Sequence, residues 1–310
     1  MIEPIGVVGI GKVGGTVSEA LEGAGLEIRR YDRYLDVGRP EELAGCLIVF
    51  VCVPTPSLPG SGFDLKEIWS AAREIEPFLR TGTILALKST VPPGTNDQLA
   101  AAFERLEFAS IPEFLIASRP AETFTHPDRV VIGARSEVTA ARLSDVMHRV
   151  APVAPVVILT PLEAELTKLC SNALLAAKVA TANALSDICE GYRASWPRIQ
   201  AAVGLDRRIG PDHLTVTPER GFGGACLPKD LDGLVAAART VGHRPSLLEE
   251  IADYNRRIRR DEAAGDVRIH AAHEAHDRGD RGGTVHKEAS YACFEIGPSQ
   301  EESGNGASSP

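Results

Sequence analysis

The residues Ile5-Gly6-Val7-Val8 run directly into Gly9-Ile10-Gly11-Lys12-Val13-Gly14, and no other stretch narrows the fold so much. A short apolar run, a glycine-rich turn and then Val13, Val17, Ala20 and Leu21 at helical spacing describe a strand, a tight turn and a helix. In such a unit the first glycine permits the turn and the second lets backbone N–H groups approach a pyrophosphate. The third lets the helix pack close to the strand, with the helix N-terminus facing the phosphates. A second strand, Leu26 to Tyr31, ends at Asp32, near the spacing of about 20 residues at which a carboxylate meets the adenine ribose hydroxyls. That acid favours NAD over NADP, although Arg33 follows at once and is a residue type that meets a 2′-phosphate.

The alternation continues. Cys46 to Val53 is apolar throughout, as an interior parallel strand covered on both faces requires, and it stops at Pro54-Thr55-Pro56. After a loop rich in Pro, Gly and Ser, Leu65 to Leu79 reads as a helix and Thr83 to Leu87 as a strand. That strand delivers Lys88-Ser89-Thr90-Val91-Pro92-Pro93-Gly94 at its C-terminal end, where open parallel sheets bind ligands; Ser89 and Thr90 are equally suited to capping the next helix. Further strands around Phe108-Ala109, Val130 to Ile132 and Val156 to Leu159, with a helix from Glu137 to Val150, carry the pattern to about residue 160. The expectation is an α/β fold with a Rossmann-type doubly wound sheet over residues 1–160.

From Pro161 to about Arg193 the character changes. Leu162, Leu166, Leu169, Ala173, Ala176 and Ala180 recur every three or four residues without a breaker before Gly191, which predicts one long helix. Glu165, Lys168 and Asn172 share one face of it, and the plain alternative is a solvated helix face. Residues 161–260 are expected to form that connecting helix and an all-α central domain for dimerisation and catalysis. Within it, Gly221-Phe222-Gly223-Gly224-Ala225-Cys226-Leu227-Pro228-Lys229-Asp230 sets a thiol, an ammonium and a carboxylate beside a bend. Pro228 suits the first position of a following helix, so Cys226 falls just before a helix N-terminus, a place that favours a thiolate. A glycine-rich turn around a buried structural Cys is the alternative.

Composition excludes several classes. With 310 residues, 44% of them hydrophobic, the chain has enough apolar surface for a substantial core. A net charge of -9 leaves no basic patch for nucleic acid. Six cysteines without CxxC pairs suit a reducing, cytoplasmic setting. There is no leader-like start and no apolar run of the roughly 18 to 20 residues that span a bilayer, so neither export nor membrane insertion is expected. His270, His273 and His276 are spaced by threes in a polar stretch and read as solvated; no metal is assigned.

Gly9-x-Gly11-x-x-Gly14, Val51-Cys52-Val53-Pro54-Thr55-Pro56, Lys88-Ser89-Thr90-Val91-Pro92, Pro112-Glu113-Phe114-Leu115, Lys168 with Asn172, Arg208-Ile209-Gly210 and the Gly221-to-Asp230 stretch stand in one order. In this the chain resembles the nucleotide-sugar dehydrogenases, the UDP-glucose and GDP-mannose 6-dehydrogenases, over about residues 1 to 258. The resemblance implies oxidation of the 6-hydroxyl of a UDP- or GDP-hexose to a carboxylate in two hydride transfers to NAD, in a homodimer paired through the long helix. It implies that Cys226 attacks the intermediate aldehyde, giving a thiohemiacetal and then a thioester for water to cleave. Lys168 and Asn172 are implied to stabilise the oxyanion, and Thr90, Glu113 and Asp230 to position water and handle protons. Cofactor contacts are implied at Gly9, Gly11, Lys12, Val13, Gly14, Asp32, Val53, Pro54, Thr55, Thr90 and Lys229. Substrate contacts are implied at Phe114, Leu115, Lys168, Asn172, Arg208, Phe222 and Gly223.

The sequence also departs from that family. Ala117 stands where a second glutamate is usual, and the segment from Arg208 to Gly221, which in the family carries an arginine into the partner's site, is about two residues longer. After a helix over Ser246 to Arg260, residues 261–310 show no sustained period and are expected to be disordered rather than to form the family's second nucleotide-binding domain. Two other readings therefore stand beside the first. One is a two-electron 3-hydroxyacid-type dehydrogenase, which also places Lys and Asn four apart on its long helix but needs no thiol. The other is a truncated, non-catalytic chain that binds NAD or a full-length partner.

Overall fold

The computed structural model describes residues 3–58, 62–116 and 118–259 of the chain, all within one compact unit. Ala117, Arg260 and the 261–310 stretch with its histidines lie outside the described residues.

In chain order the elements are β1 (Ile5–Val8), α1 (Lys12–Gly23), β2 (Ile28–Tyr31), β3 (Ile48–Val51), a hairpin of β4 (Ser57–Leu58) and β5 (Gly62–Phe63), α2 (Lys66–Ile75), β6 (Ile84–Leu87), α3 (Thr95–Ala102), β7 (Glu107–Ser110), α4 (Pro120–Thr125), β8 (Val130–Gly133), α5 (Glu137–Val150), β9 (Val156–Leu159), α6 (Pro161–Gly191), α7 (Trp196–Gly204) and α8 (Leu227–Thr240). A last helix, α9, occupies 246–259. The seven-stranded sheet has the order β2-β1-β3-β6-β7-β8-β9. The chain thus moves outward in one direction from β1 to β2 and in the other from β3 onward, and the crevice at the carboxyl ends of β1 and β3 is the switch point where such sheets bind ligands.

Successive strand residues point to opposite faces, so the inner strands β1, β3, β6 and β7 feed two cores. Val7, Phe50 and Ile132 pack with Val17 and Leu21 of α1 and Leu143 and Met147 of α5. Val8, Val49 and Leu85 pack with Ile68 and Ile75 of α2 and Leu99 of α3. These two layers are the doubly wound arrangement expected from the sequence. One strand pairing differs from a purely parallel sheet: β8 meets β7 antiparallel, through Ser110 and Gly133. Among the described residues the helix between them is α4, which has six residues and is about 9 Å long, too short to carry the chain back along a strand.

Helix α6 runs 31 residues, as its unbroken periodicity requires. Pro161 opens it, and Thr160 and Glu163 form a reciprocal cap: Glu163 N–H donates to Thr160 Oγ1 at 3.3 Å and Thr160 N–H to Glu163 Oε2 at 2.8 Å. Its small-residue stripe is covered within the chain. Ala173, Ala176 and Ala180 pack with Phe222, Leu231 of α8 and Ala252 of α9. The large apolar residues that α6 leaves exposed are Leu162, at its first turn and in line with that stripe, and Leu174, Leu185 and Ile188, which lie off it.

Candidate active site

The glycine turn after β1 divides its work by space. Gly9 has φ +84°, and a Cβ there would stand 2.9 Å from the Cys52 carbonyl oxygen; a Cβ on Gly14 would stand 1.8 Å from the Gly9 carbonyl oxygen. Gly11, which caps α1, has no atom within 4 Å of where its Cβ would be. Two glycines are therefore required for packing and the middle one opens onto free space, as a backbone cradle for a pyrophosphate needs. Asp32 links this turn to the end of β2. Its Oδ2 accepts from Ile10 N–H at 2.7 Å, and its Oδ1 accepts from the N–H groups of Tyr34 and Leu35 at 2.9 and 3.0 Å. These residues fit a dinucleotide cofactor.

A cleft of about 890 Å3 opens from that turn toward the N-terminus of α8. Gly11, Lys12 and Val13 of the glycine turn line it, with Val53, Pro54 and Thr55 from the loop after β3, and with Thr90 and Glu113. Cys226, Lys229 and Asp230 close it from the helical side. The loops after β3 and β6 are laced together: Thr55 Oγ1 donates to the Thr90 carbonyl at 2.7 Å, and Ser89 Oγ to the Val53 carbonyl at 2.6 Å. Glu165 holds the second loop against α6. It is 2% exposed, accepts from Gly94 and Asn96 N–H at 2.6 and 2.8 Å, and so caps α3 from another helix. Burial pushes its carboxyl above the usual range, against the pull of those bonds.

Cys226 is exposed and stands at the N-cap of α8 with no hydrogen bond from its side chain to the helix; Pro228 is the second helical residue rather than the first. The loop before it is clamped from two helices. Asn255 of α9 pairs both ways with Phe222, accepting from its N–H at 2.7 Å and donating to its carbonyl at 2.9 Å. Asn183 of α6 accepts from Gly221 N–H at 3.1 Å. Gly221 has φ +56°, and a Cβ there would stand 2.2 Å from Asn255 Oδ1, so the clamp and the glycine require each other.

Behind the cleft wall lies a buried polar chain. Asn172 Nδ2 donates to Asp230 Oδ2 at 2.5 Å, and Lys229 Nζ lies 2.7 Å from Asp230 Oδ1 and 4.3 Å from the centre of the Phe63 ring. Lys168, 5% exposed, places Nζ 3.3 Å from Glu113 Oε1 and 5.3 Å from the Phe114 ring. Glu113 Oε2 accepts from Leu115 N–H at 2.7 Å. The solvated-face alternative for Lys168 and Asn172 is thus set aside: both are buried, and each bonds a carboxylate that lines the cleft.

None of the seven sequence-expected substrate residues lines the cleft itself: Phe114 and Leu115 line a separate small cavity, Lys168 and Asn172 lie behind the wall, and the other three are held by other contacts. Arg208 is exposed and forked onto Asp206, with Nε at 3.0 Å and Nη2 at 2.6 Å from its carboxylate. Phe222 is 4% exposed and belongs to the helical core, while Gly223 sits exposed against the Arg259 guanidinium. Conversely, Lys88, to which the sequence patterns assign no role, lines the cleft. It is 3% exposed, with Nζ 5.2 Å from the Phe124 ring, and burial pulls its pKa down to about 8. Its neighbour Cys52 also lines the cleft, and burial pushes its thiol up to about 12. The sole sequence signal for Lys88 was its place at the carboxyl end of a buried strand. Among the described residues no cluster of His, Cys, Asp or Glu fits a metal ion, and no helix is long and apolar enough to cross a membrane.

Residues 30–151 match the model of the UDP-glucose/GDP-mannose dehydrogenase family's NAD binding domain, and residues 162–257 match that of its central domain. The chain is 37% identical over 220 residues to the UDP-glucose 6-dehydrogenase of Rhizobium meliloti (strain 1021), covering 67% of this chain and 49% of that protein. It therefore spans about half the length of the curated relatives it matches. A UDP-glucose dehydrogenase structure from Pyrobaculum islandicum superposes with a TM-score of 0.75 at 29% identity, over 83% of this chain and 68% of that one. A Mycobacterium tuberculosis 3-hydroxyisobutyrate dehydrogenase shares the fold, with a TM-score of 0.67 at 18% identity over 85% of this chain and 96% of that one.

Proposed function

The chain belongs to the UDP-glucose/GDP-mannose dehydrogenase family, and from that premise we propose that it takes part in NAD-dependent oxidation of a nucleotide-sugar 6-hydroxyl to the uronic acid. The observation that carries this reading is the single cleft that holds the Gly11 cradle at one end and Cys226, Glu113, Thr90 and Asp230 at the other. Gly11, Val13, Val53 and Thr55 would hold NAD, with Asp32 to meet its adenine ribose, and the cofactor would supply the hydride acceptor.

Cys226 Sγ adds to the carbonyl carbon of the aldehyde formed in the first oxidation, and the carbonyl oxygen gains a proton to give a thiohemiacetal. Loss of the hydroxyl proton, and of a hydride from the carbon to a second NAD, would leave a thioester. Water then adds, the C–S bond breaks and the thiol is regenerated as the carboxylate leaves. An exposed sulfur at the N-cap of α8, lining the cleft, is open to an aldehyde carbon bound there. Lys168 Nζ and the second N–H of Asn172 are the donors for the oxyanion; the first N–H of Asn172 is already committed to Asp230. Glu113, beside Lys168, is the group placed to orient water, and Thr90 lines the same cleft. Homodimer formation through α6 is part of this reading, supported by Leu174 and Ile188, which are 72% and 57% exposed.

The deciding experiment counts NADH per sugar with UDP-glucose, GDP-mannose and UDP-N-acetyl sugars. Two NADH per sugar with release of a uronic acid is the expected result. One NADH per substrate means a two-electron dehydrogenase and refutes the thioester route, and no turnover with any of them refutes the proposed activity for this chain.

A further inference from the structure

Arg33 follows Asp32 directly, in the place from which an arginine meets the 2′-phosphate of NADP. Its guanidinium is turned instead onto α2. Nη2 donates to Glu67 Oε2 at 2.6 Å, and Nη1 donates to Ser70 Oγ at 2.7 Å and stands 3.5 Å from Glu74 Oε2. Residues 67, 70 and 74 are three and four apart on one helix, so one face of α2 presents all three groups. Both carboxylates are themselves fixed. Tyr34 OH donates to Glu67 Oε1 at 3.0 Å and Tyr31 OH to Glu74 Oε1 at 2.5 Å, while the Tyr34 ring lies 4.9 Å from Arg33 Cζ. Burial and the bond to Glu74 push the Tyr31 hydroxyl up to about 12, so it stays a donor at any ordinary pH.

We propose that Glu67 and Glu74 are specificity-determining residues for the cofactor, which hold Arg33 away from the adenine ribose and cancel its charge. The inference rests on the NAD reading and deepens it. Asp32 alone repels a 2′-phosphate, but an adjacent arginine would offset that repulsion. With Glu67 and Glu74 on the guanidinium, a phosphate arriving here meets three carboxylates and one committed cation. The side chains of Arg33, Glu67 and Glu74 are 31%, 26% and 34% exposed, so the pairs are partly screened and the arginine is releasable rather than locked. A chain with an arginine beside its ribose acid thus keeps a masked phosphate site.

The test is titration of NAD and of NADP into the unsubstituted chain, Glu67→Gln/Glu74→Gln, and that double variant with Arg33→Ala added. Gln keeps the shape and removes the charge. In the double variant NADP is expected to bind about tenfold tighter or more, with NAD changed by less than about twofold, and the gain is expected to vanish with Arg33→Ala and to shrink in high salt. A purely structural role for the acids would move both affinities together, so the NADP to NAD ratio is the deciding readout. An unmoved ratio, or a gain that survives Arg33→Ala, overturns the proposal while leaving NAD binding intact. Absence of NAD binding by the unsubstituted chain refutes the cofactor reading and this proposal with it. If the double variant fails to fold, Glu67→Gln alone, which leaves the Tyr31–Glu74 bond in place, is expected to give part of the same gain, and no gain from it overturns the proposal.

Discussion

Asn172 Nδ2 donates to Asp230 Oδ2 at 2.5 Å, joining the middle of α6 to the first turn of α8 across 58 residues of chain. Asp230 is 1% exposed, so its carboxylate depends on this bond and on Lys229 for its charge to be tolerated. Asn172→Ala is expected to lower the folding free energy by about 1–3 kcal/mol, the cost of an unmade bond to a buried charge. NAD affinity should change little, because Asn172 lies away from the glycine turn. Urea unfolding and a calorimetric NAD titration check both parts; unchanged stability, or NAD affinity falling in step with it, contradicts the assignment.

Cysteine chemistry separates the cleft from the surface. Cys226 and Cys170 are exposed, whereas burial raises the Cys46 and Cys52 thiols to about 11 and about 12. Iodoacetamide at neutral pH is expected to label Cys226 and Cys170 and to spare Cys46 and Cys52. Saturating NAD should slow labelling at Cys226, which lines the cleft, and leave Cys170 on α6 unaffected. Peptide mass spectrometry reads the sites, and equal protection of both cysteines would show that the cofactor does not cover the thiol. Cys226→Ser should still fold and bind NAD but release no uronic acid; four-electron turnover by that variant would remove the nucleophile role.

The amide clamp on the loop that leads to Cys226 is expected to be costly to break. Asn255→Leu keeps the volume but leaves the Phe222 N–H and carbonyl without their partner in a buried setting, a loss of about 2–6 kcal/mol at the usual cost of each group. Gly221→Ala should be destabilising as well, through its positive φ and the Asn255 oxygen in the way of its Cβ. A denaturation midpoint within error of the unsubstituted chain for either variant would show that the loop is held by something else.

Lys88 makes stability depend on pH in a defined direction. Burial lowers its pKa to about 8 from 10.5, so between those values the unfolded chain holds more protons than the folded one and stability rises with pH. Below pH 8 both states are protonated, and the buried ammonium costs on the order of 3 kcal/mol. Cys46 and Cys52, shifted upward, act in the opposite sense above pH 9 in both proteins compared. The stability difference between Lys88→Met and the unsubstituted chain should therefore move steadily in favour of the unsubstituted chain from pH 8 to pH 10. A difference that does not change with pH would mean that the lysine is not buried as a cation.

Much of the site was legible because its residues lie in short motifs whose geometry is local. The turn from Gly9 to Gly14 and the acid at Asp32 follow from a strand, a bend and a helix of fixed dimensions. Cys226 stands at the start of α8 because Pro228 and the apolar residues after it leave little choice. Phe222 and Arg208 were equally prominent in sequence, yet one went into the helical core and the other onto Asp206. Neither outcome depends on their own motif: the first was decided by the small residues of α6 opening room for a ring, the second by a carboxylate two residues away in a turn.

By itself, then, the sequence determined the doubly wound sheet, the long helix and the order in which the glycine turn, the Lys168–Asn172 pair and the Cys226 thiol occur, since strand and helix periods and turn residues are properties of neighbouring positions. Tertiary structure alone decided what covers each surface. The small-residue stripe of α6 is met by Phe222, Leu231 and Ala252 of the same chain; Arg33 is claimed by two glutamates more than thirty residues on; Lys88 is buried under Phe124. Periodicity reports which face of an element must be covered, but the identity of the covering group is set by distant parts of the chain brought within a few ångströms of one another. At that range charge, burial and hydrogen bonding acquire their values.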